Sequence, residues 1–130
     1  MKTSPDWINR LEPNQIFVFG SNLLGIHGKG AAKIARQLFG AQPSEAIGRT
    51  GQCYAIPTKR NPAVSLPLPL VAKHVAAFLN YATDHPELEF LLTEIGCGLA
   101  GRQSSEIAPM FRGAPGNVLL PVSFVNELTK

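Results

Sequence analysis

The chain has 130 residues, of which 45% are hydrophobic and 16% are charged, and its formal net charge is +3 at pH 7. This length predicts a single domain over residues 1–130, and the hydrophobic fraction suffices for a packed core, which excludes a disordered chain. The weak positive charge suits a small anionic ligand. Without a run of Lys and Arg, a nucleic-acid surface is disfavoured.

Targeting signals and cysteine chemistry leave few alternatives for the compartment. No apolar stretch approaches the roughly 18 residues that cross a bilayer, and the first residues lack a leader-like apolar core. Cys53 and Cys97 lie far apart and have neither metal-binding nor redox spacing. We therefore expect a cytoplasmic protein with free thiols, no membrane partner, no metal and no cofactor.

The first half of the chain predicts strands and a helix separated by glycine and proline. In order, it predicts a helical turn around Trp7, Ile8 and Leu11, a buried strand over 16–19, a helix over 30–39 that Gly40 stops, a loop over 41–52, and a strand over 53–57 that Pro57 ends.

The second half continues the alternation. It predicts an irregular segment over 58–67, an amphipathic helix around Val71, Val75, Phe78 and Leu79 that finishes near Asp84, a strand over 89–95, a short helix with Ser104 as N-cap, a turn over 113–116 and a strand over 117–121. Strands that alternate with helices predict a three-layer α/β/α sandwich with a mostly parallel or mixed sheet. Ligands in such sheets bind beyond the carboxyl ends of the strands.

Two glycine-rich loops, residues 20–30 and 96–101, each follow a predicted strand and precede a predicted helix. Glycine lets backbone approach a ligand closely, and a helix N-terminus offers free N–H groups to an anion. The second loop matches G-x-G-x-x-G but lacks the acidic residue expected about 20 positions later in a dinucleotide fingerprint. The first loop has Gly30 after Lys29, where a P-loop needs Ser or Thr. The loops predict a clamp for a phosphorylated ligand, and turns that merely close the fold are the alternative.

Five side chains near these loops are candidates for chemistry, each with a structural alternative. Asn22 could bind a sugar hydroxyl or cap a turn. His27, expected to be exposed, could contact phosphate or transfer a proton, or be a solvated loop histidine. Lys29 begins a helix, where a bound anion would offset its charge. Cys97 could be a nucleophile with His27 as base, or a small residue under the ligand. Glu94 could bind ribose hydroxyls or orient a water, or be an ordinary strand-end carboxylate.

Taken together, these elements resemble the macro-domain superfamily of ADP-ribose-binding modules, in a compact, divergent branch found in bacteria and phages. The resemblance covers roughly residues 16–121. It is carried by the strand 17–19 that leads to Asn22, the glycines up to Gly30 with Ala31 and Ala32, the strand and its continuation over 53–59, and the loop 95–101 with Ile107 and Ala108.

The resemblance implies a cleft for ADP-ribose or a related NAD-derived nucleotide, with residues 96–101 around the diphosphate and residues 25–30 opposite. Members of the superfamily bind ADP-ribose or hydrolyse its linkages, most without a metal. Asn22 would lie by the distal ribose, where the family's hydrolases place a catalytic asparagine. No clear match exists for the family's adenine-gripping aspartate, because Asp6 and Glu12 are poorly placed.

Three functions therefore stay open: an ADP-ribosyl hydrolase, a non-catalytic module for a nucleotide signal, and a less favoured nucleic-acid or protein interaction module. The oligomeric state is not predicted. Asn22 and His27 are the catalytic candidates, and the ligand-binding candidates are Ser21, Asn22, Gly25, Gly28, Lys29, Gly30, Thr58, Lys59, Glu94, Gly96, Cys97, Gly98, Leu99, Ala100 and Gly101.

Overall fold

A six-stranded mixed sheet forms the centre of the computed structural model, which describes residues 2–98 and 100–130. Its strands run in the order β2-β3-β1-β5-β6, with β4 paired to β3. The pairs β1–β3, β1–β5 and β5–β6 are parallel, whereas β2 and β4 are antiparallel to β3. The strands are β1 Gln15–Asn22, β2 Gly48–Thr50, β3 Cys53–Asn61, β4 Val64–Ser65, β5 Glu89–Leu92 and β6 Val118–Leu119.

Four helices occur among the described residues. They are α1 Gly30–Leu38, α2 Leu68–Asp84, α3 Ser104–Ile107 with a following 3₁₀ turn Ala108–Phe111, and α4 Val122–Leu128. Because successive side chains of a strand point to opposite faces, β1 supplies both cores. Phe17 and Phe19 pack with α1, whereas Ile16 and Val18 join a larger cluster with α2, α3 and α4. The mixed α/β fold and the doubly buried strand over 16–19 are thereby confirmed.

The strand predicted over 53–57 does not end at Pro57 but continues to Asn61. β2 accompanies β3 only as far as Ala55, and β4 pairs with it only from Lys59 onward. Pro57 lies between these two stretches, where neither β2 nor β4 pairs with β3. The N–H that proline lacks is therefore not needed for an antiparallel hydrogen bond. The same pairing places two short strands inside the segments predicted to be irregular, 41–52 and 58–67.

The helical turn predicted near the N-terminus is wrong. The side chain of Trp7 is 78% exposed, while Ile8 and Leu11 pack against the α1-side core. Upstream, Thr3 forms a parallel bridge with Leu120. A segment this short is at most marginally stable as an isolated helix. The contacts of Thr3, Ile8 and Leu11 therefore decide its path, which is irregular.

The C-terminal third differs in further details. The strand predicted over 89–95 ends at Leu92, and the one predicted over 117–121 spans only Val118–Leu119. Ser104 is the first residue of α3 and Gln103 is its N-cap, with the Gln103 N–H donating to Oε1 of Glu106 at 2.9 Å. Helix α4 follows Pro121, which the sequence placed at the end of the last strand, and it contributes the fully buried Phe124. None of the helices in the described part of the chain has the length and apolarity of a membrane span.

Candidate functional site

A cavity of about 600 Å³ opens beyond the carboxyl ends of β1, β3 and β5. Both glycine-rich loops reach it, as the strand order predicts. The predicted residues that line it are Ser21, Asn22, Gly28, Lys29, Gly30, Thr58, Lys59, Glu94, Gly96, Cys97, Gly98 and Ala100.

Three predicted residues, Gly25, His27 and Gly101, are not among those that line the cavity, and Leu99 lies outside the described residues. The other lining residues are Gly20 and Ile26, which lie within the predicted first loop without being singled out, and Ala31, Ala32, Pro62, Thr93 and Ile95, which were not predicted to line the site. Most of these are small or apolar. Mixed apolar and polar walls are typical of small-molecule sites, but an isolated alanine or isoleucine carries no sequence signal for one.

Asn22 builds the turn that follows β1. Its Oδ1 accepts the N–H groups of Leu24 and Ile26 at 3.1 and 3.2 Å, and its Nδ2 donates to the carbonyl of Ile26 at 2.9 Å. An asparagine amide has two acceptor sites and two donor hydrogens. One Nδ2 hydrogen is therefore left to reach a ligand in the cavity.

The expectation that His27 is exposed is wrong, because its exposed fraction is 3%. Its Nε2 lies 3.0 Å from the carbonyl oxygen of Gln42, so Nε2 carries the hydrogen. The ring meets Phe19 edge-on, with centroids 5.3 Å apart. Nδ1 is buried and has no hydrogen-bond partner within the described residues. His27 thus fastens the first loop to the segment that follows α1.

Gly25 also links the first loop to the segment that follows α1. Its φ is +69°, and a Cβ at this position would lie 2.5 Å from backbone atoms of Ser44. The carbonyl of Gly25 accepts the Ser44 N–H at 3.0 Å. Only glycine permits this approach, so Gly25 shapes the loop without lining the cavity.

The N-terminus of α1 opens into the cavity. Lys29 is its N-cap, no acidic side chain occupies the first turn, and no cap hydrogen bond from a side chain is present. Within the described part of the chain, the N–H groups of Gly30, Ala31 and Ala32 have no acceptor. These unpaired donors and the adjacent ammonium group make a positively polarised wall.

An extra residue in β3 brings a second lysine to the cavity. Ser21 pairs with Pro57 but Asn22 pairs with Lys59, so Thr58 is unmatched in the β1–β3 register. Thr58 is buried, and its Oγ1 donates to the carbonyl of Ser21 at 3.4 Å. The Lys59 ammonium group contacts the carbonyl of Pro62, which leaves hydrogens for a ligand.

Cys97 lines the cavity with a protonated thiol. Burial raises the pKa of this thiol, and the charges of Glu94 and Glu106 add to the rise, whereas a hydrogen bond with Ser104 opposes it. Because the thiolate is the nucleophile, a raised pKa makes Cys97 a poor one at neutral pH. Within the described residues, no three His, Cys, Asp or Glu side chains are grouped so that they could hold a metal ion.

Glu94 follows β5 and lines the cavity with an exposed side chain. Its Oε2 accepts a hydrogen bond of 2.6 Å from Oγ of Ser123, a residue of α4 that the sequence reasoning did not select. The preceding residue, Thr93, is fixed to β1, because its Oγ1 donates to the carbonyl of Val18 at 2.7 Å. The hydrogen bond from Ser123 therefore orients the carboxylate on a chain segment that is itself anchored to the sheet.

No family model, curated protein or solved structure matches this chain.

Proposed function

We propose that this chain is a macro-domain-like three-layer module that binds ADP-ribose or a related NAD-derived nucleotide in the cavity. The observation that carries the proposal is the meeting of both glycine-rich loops around one cavity at the carboxyl edge of a largely parallel sheet. This is the position at which α/β sheets bind nucleotides.

The charge and hydrogen-bonding groups of the cavity suit a phosphorylated ligand. The unpaired N–H groups at the start of α1 and the ammonium groups of Lys29 and Lys59 all attract phosphate. From the second loop, the Gly98 N–H has no acceptor within the described residues and offers a further donor. The cavity volume falls within the range of about 300–1,000 Å³ that is usual for small-molecule sites.

The same geometry favours binding without turnover. Three of the four hydrogen-bonding positions of the Asn22 amide are used inside its own turn. His27 is buried outside the cavity lining, and the raised pKa of Cys97 keeps its thiol protonated. We therefore favour a module that recognises a nucleotide over an ADP-ribosyl hydrolase.

Calorimetric titration with ADP-ribose, NAD and AMP tests the binding proposal, with Gly98→Val as the blocking variant. A Cβ at Gly98 meets no atom within 4 Å and the backbone is not left-handed, so this lining residue has room for an added side chain. Gly116→Val is the matched control, because Gly116 is equally unhindered and lies outside this cavity.

We expect at least one nucleotide to bind the wild type and Gly116→Val with equal affinity, and Gly98→Val to bind it at least about tenfold more weakly. If none of the three nucleotides gives a heat of binding at millimolar concentration, the proposal is overturned.

Mass spectrometry of an ADP-ribosylated protein incubated with the chain tests turnover. Released ADP-ribose that disappears with Asn22→Ala would establish the hydrolase instead.

A further inference from the structure

We infer that Glu94, positioned by Ser123, accepts hydrogen bonds from sugar hydroxyls of the ligand and makes the cavity select sugar nucleotides over simpler phosphates. This inference rests on the proposed function and specifies which part of the ligand lies at which side of the cavity.

The first step is the availability of the carboxylate. Ser123 occupies only Oε2 of Glu94, so Oε1 is left to accept from a ligand. Phe124, the next residue of α4, is fully buried in the main core and fixes the position of Ser123. A carboxylate oriented in this way loses less side-chain entropy on binding than a free surface glutamate would.

The second step is the separation of charge across the cavity. Lys29 follows β1 and Lys59 lies in β3, whereas Glu94 follows β5, on the other side of β1 from β3. Among the described residues that line the cavity, Glu94 is the sole carboxylate. A phosphate next to Glu94 would be repelled, while a phosphate near the lysines would be attracted.

The third step is the chemistry of the group that Glu94 can accept. A carboxylate is an acceptor only, so its partner must carry hydrogens and must not be anionic. The hydroxyls of a ribose meet both conditions, and carboxylates bind ribose hydroxyls in dinucleotide sites. A ligand with phosphate toward the lysines therefore presents a sugar to Glu94.

Affinities for ADP-ribose, ADP and 2′-deoxy-ADP, measured by calorimetry for the wild type and Glu94→Gln, test this assignment. Two ratios are read, ADP-ribose over ADP and ADP over 2′-deoxy-ADP. We expect one of them to fall about three- to tenfold in Glu94→Gln, because a charge-assisted hydrogen bond becomes a neutral one. A fall in ADP over 2′-deoxy-ADP identifies the adenosine sugar. A fall in ADP-ribose over ADP identifies the terminal sugar when the affinity for ADP-ribose itself drops, whereas a rise in the affinity for ADP alone reflects only the lost charge and counts against the assignment. If neither ratio changes, the assignment is overturned.

Ser123 is tested as a positioning residue. Ser123→Ala is expected to lower the same ratio about two- to threefold, and Ser123→Thr, which keeps the hydroxyl, to restore it. Glu127→Gln is the matched control, since it removes a negative charge from α4 at a residue that is not among the cavity lining. If Glu127→Gln lowers the affinity ratio as much as Glu94→Gln does, Glu94 acts only through its negative charge and not through a hydrogen bond to the sugar. If the wild type binds no nucleotide, the proposed function itself fails, which is a different result.

Discussion

Three hydrogen bonds join the first glycine-rich loop and the end of β1 to the segment between α1 and β2. They link His27 to Gln42 at 3.0 Å, Gly25 to Ser44 at 3.0 Å and Ser21 to Ala46 at 2.6 Å. The backbone of this segment thereby supports the loop from outside. His27 and Gly25 act on the cavity through the loop they hold, which explains why neither lines it.

Gly25→Ala and Gly28→Ala form a matched pair that tests this support. The new Cβ of Gly25→Ala would overlap the Ser44 backbone and would sit at a left-handed φ, whereas that of Gly28→Ala meets nothing within 4 Å. We expect Gly25→Ala to lower the free energy of unfolding by about 2 kcal/mol or more, and Gly28→Ala to change it by less than about 1 kcal/mol. Urea denaturation measures both, and equal losses would contradict the role of Gly25.

At the scale of elements, one side chain ties the end of α2 to the sheet. Nδ2 of Asn117, just before β6, lies 3.0, 3.0 and 3.1 Å from the carbonyl oxygens of Ala82, His85 and Leu88. The last carbonyls of a helix lack partners within the helix. Asn117 therefore closes the C-terminus of α2 and fixes the turn that leads into β5.

Asn117→Ala should destabilise the protein by about 1–3 kcal/mol, because it removes the shared donor from three part-buried carbonyls. Asn80→Ala is the control, since Asn80 is exposed on the same helix and alanine is the better helix former. Thermal unfolding followed by circular dichroism compares the two. A loss of stability in Asn80→Ala equal to that in Asn117→Ala would contradict this account.

The elements that could be predicted are those whose signal is local. The helical spacing of apolar residues and the position of Gly40 predicted the bounds of α1 to within one residue. Pro86 correctly predicted that α2 ends near Asp84. The continuation of β3 past Pro57 could not be predicted, because it depends on where β2 and β4 stop. Pairing partners distant in sequence decide such boundaries, and no local pattern encodes them.

The candidate site likewise has features that could be predicted from local sequence and features that could not. Glycines after strands marked both loops, and their convergence follows from parallel pairing. The burial of His27 could not be predicted, because Phe19 and Gln42 cover it only in the folded chain. Ser123 also carried no signal, since α4 reaches Glu94 only once β5 and β6 have paired.

At the scale of the whole molecule, several titratable groups stabilise the folded state when they are protonated. Burial raises the pKa of Cys53 from about 9 to about 11, opposed by a hydrogen bond to Thr50. Burial also raises the pKa values of Tyr54 and Cys97, with smaller contributions in the same direction from Tyr81 and from Glu94 and Glu106 respectively. The folded state therefore holds these protons more tightly than the unfolded state.

The stability contributed by Cys53 should be complete below pH 9 and lost as the pH rises to about 11, because the unfolded thiol ionises first. Urea midpoints at pH 8, 9, 10 and 11 measure the decline. Cys53→Ser keeps a donor for Phe39 and Thr50 but does not titrate in this range, so its decline should be shallower. A decline as steep as that of the wild type would rule out Cys53 as a cause.

The unmatched Thr58 also bears on how the chain tolerates changes in length. If Thr58 were deleted, the lysine would still pair with Asn22, but the buried threonine and its hydrogen bond to the carbonyl of Ser21 would be lost. A residue inserted before Lys59 would instead move the lysine out of its pairing with Asn22, and the side chains beyond the insertion would exchange faces of the sheet. Single-residue insertions or deletions between Pro57 and Lys59 are therefore expected to be selected against far more strongly than those in the turn over 113–116. Length variation among descendants of this sequence should collect in that turn and avoid the end of β3.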